Sequence, residues 1–108
     1  MRRNKYGAIR TKVDGITFHS KKEAARYLEL KMLQKAKKIE FLKLQPKFPI
    51  DFNGVKICTY IADFSYRDRD AGAIIYEDVK SPATAKLPMY RLKKKLVKAR
   101  YGIDIKET

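Results

Sequence analysis

The sequence predicts an α/β domain, a mixed sheet flanked by helices, with elements in the order hairpin, helix, three-stranded antiparallel meander, helix, strand. Three observations predict it. Turn signals divide the chain into strands, two stretches carry apolar residues at helical spacing, and a short alternating segment ends the sequence.

Asp14-Gly15 separates Thr11-Lys12-Val13 from Ile16-Thr17-Phe18, which reads as a hairpin with a type I′ turn. Ser20 can cap a helix, and Glu23 completes a Ser-x-x-Glu capping box. Ala24, Tyr27, Leu28, Met32, Ala36 and Ile39 then form an apolar stripe at helical spacing. Asn53-Gly54 divides Phe48–Phe52 from Val55–Ile61, and the polar turn Asp68–Gly72 divides Tyr60–Tyr66 from Ala73–Lys80. These three strands make the meander. The second helix starts near Leu87, with Pro88 tolerated in its first turn and Gly102 as a left-handed stop. Met89, Leu92, Leu96 and Ala99 are its apolar stripe, and Ile103–Lys106 is the last strand.

The chain has 108 residues, with 26 Lys or Arg against 12 Asp or Glu, a formal charge of +14. That length fits one domain, residues 1–108, with a basic arm and short hairpin over 1–19. A hydrophobic fraction of 44% is too high for a disordered basic tail. No window is apolar for long enough to span a membrane, and no apolar stretch follows the basic start as in a secretory signal. One cysteine, Cys58, excludes an internal disulfide and reads as a core strand residue in a reducing compartment. The excess positive charge points to a polyanion, and nucleic acid is the commonest. A membrane surface would call for a basic amphipathic helix, and the chain has no Trp.

Two acids stand where strands disfavour them. Asp63 sits in Tyr60-Ile61-Ala62-Asp63-Phe64, and Asp78 in Ile74-Ile75-Tyr76-Glu77-Asp78-Val79. A carboxylate buried without a partner shifts its pKa or costs several kcal/mol, so both call for cations. Asp78 and Lys80 share one strand face about 6–7 Å apart, with Glu77 and Val79 on the other. Taken alone, the Asp78–Lys80 pair is better explained by an edge strand with solvated charges, and Glu23 by the capping box.

In order, the set is Glu23 near a helix start, Asp63 in a strand, and Asp78-Val79-Lys80 in the next strand. It resembles the PD-(D/E)XK, or restriction-endonuclease-like, nuclease superfamily. Lys5-Tyr6-Gly7, Asp14-Gly15-Ile16-x-Phe18, Ser20-x-x-Glu23-Ala24, Leu44-Gln45-Pro46, Tyr60–Phe64 and Glu77–Lys80 extend the resemblance to a branch of small phage- and prophage-encoded proteins grouped as endonucleases. Ala62 stands where the superfamily name has proline, a position with no chemical part. The resemblance implies a restriction-endonuclease-like core and metal-dependent hydrolysis of DNA. Asp63 and Asp78 would hold Mg²⁺ or Mn²⁺, with the Val79 carbonyl adding an oxygen. Lys80 would orient the attacking water and stabilise developing charge. Glu23 would bind a second ion or a nearby water. It further implies a structure-selective enzyme of the junction-resolving kind, a homodimer, and the cytoplasm of a bacterial host.

Lys86, Lys93, Lys94 and Lys98 around the second helix, and Arg2, Arg3 and Lys5 in the arm, are candidates for phosphate contacts. Tyr90 would stack on or touch nucleic acid, or belong to the core. His19 reads as a surface residue. No base-reading motif is present, so recognition of backbone and shape is expected. A non-catalytic basic nucleic-acid-binding protein accounts for +14 equally well. So does a degenerate nuclease fold acting on a host partner.

Overall fold

The structure, a computed structural model, describes residues 10–108, so Arg2, Arg3, Lys5 and the Lys5-Tyr6-Gly7 motif lie outside the described residues. It is a mixed α/β arrangement. Strands β1 (Thr11–Val13) and β2 (Ile16–Phe18) form the first hairpin, and α1 (Lys21–Lys35) follows. Then come β3 (Ile39–Leu44), β4 (Lys47–Phe52), β5 (Val55–Ile61), β6 (Phe64–Asp68) and β7 (Ile74–Asp78). The short α2 (Pro82–Ala85), α3 (Pro88–Tyr101) and β8 (Lys106–Glu107) complete the chain.

The main sheet has the order β3-β6-β7-β8; β3, β6 and β7 are antiparallel and β8 runs parallel to β7. The strand beside β6 is therefore Ile39–Leu44, not Phe48–Phe52 as the turn signals suggested. The predicted first helix ran on to Ile39, and it stops earlier because the chain folds back at Lys37. Lys37 N–H donates to Gln34 O and Lys38 N–H to Leu33 O, a Schellman ending with a lysine at φ 63° instead of the usual glycine.

The predicted strand Tyr60–Tyr66 is broken in the middle. Segments 39–52 and 55–68 pair along their length as one ribbon, kinked where Gln45 takes φ 52°. Gln45 N–H donates to Asp63 O and Ala62 N–H to Pro46 O across the kink. Beyond it, β4 and β5 twist away as a separate two-stranded sheet. Asp63 thus lies in the bend between β5 and β6 and not inside a strand. The last strand is Lys106–Glu107 where Ile103–Lys106 was expected, and Ile105 is buried just before it.

The turns behave as their residues dictate. Asp14-Gly15 and Asn53-Gly54 both have two successive left-handed residues, as type I′ turns require. Gly102 at φ 71° ends α3 with its N–H on Lys98 O.

Two cores result. Phe18, Ala24, Tyr27, Leu30, Ile39, Phe64 and Tyr66 pack under α1; Phe48, Ile50, Tyr60, Ala62, Val97 and Ile105 pack under α3. The predicted stripes are realised in part: Ala24, Tyr27 and Ile39 of the first are buried, and Leu96 of the second packs against the core under α3. Leu28 and Met32 are exposed, and α1 buries Glu23, Ala24, Tyr27 and Leu30. Met89, Leu92 and Ala99 are exposed, and α3 turns Tyr90 and Val97 inward. Cys58 is half-buried in β5. Among the described residues no helix is long and apolar enough to cross a membrane.

Candidate active site

Asp63 at the ribbon kink and Asp78 at the end of β7 are locked by reciprocal bonds. Asp63 N–H donates to Asp78 Oδ1 at 3.0 Å and also to Glu77 O, while Asp63 Oδ2 accepts from Val79 N–H at 2.8 Å. Each carboxylate therefore orients the other's segment. It is the Val79 N–H that the structure shows engaged here. The antiparallel register of β6 and β7, with Phe64 opposite Glu77, carries Asp63 to the end of β7.

Asp78 has 0% exposure, and among the described residues its Oδ2 has no hydrogen-bond partner. Leaving a buried acceptor unsatisfied costs about 1–3 kcal/mol, more for a charged one. Burial pushes the Asp78 carboxyl up to about 6 even with Lys80 opposing. Asp63 is also raised, by burial first, against the Val79 N–H and Lys80. Glu23, 8% exposed, is pushed up to about 7 by burial and then by the charge of Asp63, with Lys80 opposing and Asp78 adding. The four expected residues thus share one electrostatic site. The predicted capping box is realised in one direction: Ser20 Oγ accepts Glu23 N–H at 3.1 Å. The Glu23 carboxylate instead lies 4.0 Å from His19 Nδ1, among the site charges. His19 itself is exposed, as expected.

Lys80 sits two residues past the end of β7, half-buried, and its charge opposes the rise of Glu23, Asp63 and Asp78 alike. Its Nζ lies 4.7 Å from the centre of the Tyr90 ring. Backbone bonds to the C-terminus hold the segment: Thr108 N–H donates to Asp78 O, and Lys80 N–H to Thr108 O. Lys22 Nζ from α1 donates to Lys80 O at 2.8 Å. Tyr90 is occupied by the protein itself, its hydroxyl donating to Glu107 Oε2 at 2.6 Å. Burial and that bond raise the Tyr90 hydroxyl, and the same bond, with Lys94, lowers Glu107.

On the opposite face of β7, Glu77 is also 0% exposed but fully partnered. Arg26 Nε and Nη2 donate to its two oxygens at 2.8 Å each, and Tyr66 OH donates to Oε1 at 2.9 Å. Arg26 is three residues after Glu23, so this clamp fixes the helix that carries Glu23 against the strand that carries Asp78.

The expected phosphate contacts divide. Lys86 is exposed and Lys93 half-exposed, whereas Lys94 pairs with Glu107 at 3.3 Å and Lys98 with Asp104 at 2.8 Å. Sequence reasoning missed Arg26, Glu77, Tyr60, Glu107 and Thr108. Spacing offered one signal, because Arg26 shares a helix face with Glu23. Tyr60, whose hydroxyl is the other buried side-chain atom without a partner among the described residues, has its ring 6.4 Å from that of Tyr90.

Among the described residues no three His, Cys, Asp or Glu side chains already form a cage for a metal ion. Mg²⁺ does not require one, since one or two carboxylates with water and phosphate complete its octahedron. The donor set is hard oxygen, and one buried oxygen lacks a partner, so the residues fit such an ion. No curated protein and no solved structure matches the chain. A family match spans residues 3–108, taking in Glu23, the kink at Asp63, the end of β7 and β8, and the chain belongs to the family described as Protein of unknown function (DUF1064).

Proposed function

We propose that the protein is a metal-dependent DNA endonuclease that hydrolyses phosphodiester bonds. The observation that carries this is Asp78 Oδ2, a fully buried carboxylate oxygen without a partner beside Asp63, Glu23 and Lys80. A purely structural carboxylate would be partnered, as Glu77 is. The order α1, then β3, β6 and β7 antiparallel, then α3 and β8 supports the restriction-endonuclease-like reading.

Asp63 and Asp78 would hold Mg²⁺ or Mn²⁺, and the bound ion would supply positive charge at the phosphoryl and leaving oxygens. Lys80, steadied over Tyr90 and tied at its backbone to Thr108, places an ammonium where negative charge develops on the phosphate. Glu23, held above the usual carboxylate range by burial and by Asp63 in the ion-free protein, would bind a second ion or a water beside the first. The +14 chain holds the DNA, and the acids do the chemistry.

The test uses linear, nicked, flapped and four-way-junction DNA, with and without Mg²⁺ or Mn²⁺. Cleavage is expected only with the ion, and Lys80→Ala or Asp63→Asn should abolish it while DNA binding persists. Selective cleavage of the junction would place the enzyme with structure-selective recombination nucleases. Equal cleavage by parent and variants would overturn the assignment. Binding without cleavage, indifferent to the ion, would return the non-catalytic DNA-binding reading.

A further inference from the structure

Next to the acidic cluster, α3 and the segment entering β8 enclose a hollow of about 330 Å³. One wall is cationic, formed by Arg91, Lys94, Lys95 and Lys98, over an apolar floor of Ile103 and Ile105. Two of these cations are already answered by the protein, Lys94 by Glu107 and Lys98 by Asp104. Arg91 and Lys95 are exposed and form no ion pair among the described residues.

A second hollow of about 360 Å³ lies further along the helix, and Arg91 and Lys95 line it as well, with Lys86. These two residues are one turn apart, about 6 Å along the axis. That separation is comparable with the spacing of successive phosphates on a strand. Glu107, which lines the first hollow, accepts from the hydroxyl of Tyr90, the ring that lies under Lys80.

We propose that the two hollows form one groove for the sugar–phosphate backbone of a DNA strand leaving the candidate active site, with Arg91 and Lys95 as its phosphate contacts. Two hollows sharing a cationic wall suit a chain ligand better than a compact anion. Paired Lys94 and Lys98 set the rim, and the apolar floor suits sugar carbons. The groove rests on the nucleic-acid half of the reading above. It extends that reading to Arg91 and Lys95.

The test is binding of a labelled single-stranded oligonucleotide in chelator, followed by anisotropy across a salt series. Without divalent cation no hydrolysis enters, so failure here leaves the acidic cluster untouched, and failure of the nuclease reading leaves the groove standing. Arg91→Ala with Lys95→Ala should weaken binding about tenfold and lower the salt slope by about 1.4, the value for two single-strand phosphates. Lys31→Ala with Lys35→Ala removes the same charge from the exposed face of α1 and should change affinity less than about twofold. Equal losses in the two double variants would mean diffuse attraction and would overturn the groove. So would displacement of the strand by millimolar inorganic phosphate at constant ionic strength, which would mark a compact-anion site.

Discussion

The two faces of β7 bury neighbouring carboxylates and treat them oppositely. Glu77 faces α1 and takes three hydrogen bonds, two from Arg26 and one from Tyr66. Asp78 faces α3 and takes one bond, from Asp63 N–H, on a single oxygen. Both are fully buried, so burial alone does not distinguish them; satisfaction does. The Arg26 guanidinium beside Glu77 is itself raised, as a charge in a tight pair should be. Tyr66, donating to the same carboxylate, is pushed up to about 12 by burial and by that charge. Asp78 has Lys80 nearby but, among the described residues, no cation bonded to it, and burial raises it instead. The strand satisfies one acid completely and leaves the next open, and on the proposed reading that separates fastening from chemistry across its own thickness.

The largest effect expected is on activity. Asp78→Asn should lower ion-dependent DNA cleavage by about 10³-fold or more, since several kcal/mol of charge stabilisation is lost. Single-turnover rates measure this, and its fold should survive because Asn can still accept from Asp63 N–H. On the other face, Glu77→Gln should cost about 2–3 kcal/mol by removing the charged partner of the half-buried Arg26, which is left with its exposed neighbour Glu29 at 3.2 Å. Chemical denaturation reads that loss, and adding Arg26→Met should recover most of it. Recovery of cleavage along with stability would show that the clamp only fastens α1.

A smaller contrast lies in pH. Glu23 and Asp78 have folded values of about 7 and about 6, above those of an unfolded chain. Between the unfolded and folded values the native protein holds more protons, so these groups lower the stability of the ion-free protein as pH rises from about 4 to about 7. Asp78→Asn removes one of them. Relative to the parent, its unfolding free energy should therefore improve by about 1–3 kcal/mol across that window and level off above it. Parallel stability curves for the two proteins would contradict the raised value. The smallest effect is that of Tyr66→Phe. It removes one of three bonds to Glu77 and should cost about 1–2 kcal/mol, with cleavage unchanged.

Much of this was legible in the sequence where the backbone geometry has a dedicated residue. Asp-Gly, Asn-Gly, the Ser20 cap and Gly102 announced their turns and ends because few other residues fit them. The chain was opaque where ordinary residues take left-handed backbone. Lys37 ends α1 and Gln45 kinks the ribbon without a glycine, so Ile39 was read into the helix, the rest of β3 went unassigned, and Asp63 was read into a strand. Helix phase was ambiguous because Leu28, Leu30, Met32 and Leu33 crowd one stretch of α1, and only the sheet selects Leu30. Of the site, Glu23, Asp63, Asp78 and Lys80 were legible by type and order. The Arg26–Glu77 clamp joins residues 51 apart, and Tyr90 with Glu107 joins residues 17 apart, contacts no local pattern encodes.

The central claim is that the open side of β7 takes a divalent cation and the closed side does not. A Mn²⁺ titration of the nucleic-acid-free protein at pH 7.5, followed by the loss of the free-ion paramagnetic resonance signal, tests it directly. Saturable uptake is predicted for the parent and for the Arg26→Met, Glu77→Gln protein, with uptake lost in Asp78→Asn. Equal uptake by the parent and Asp78→Asn, or none by either, would contradict it.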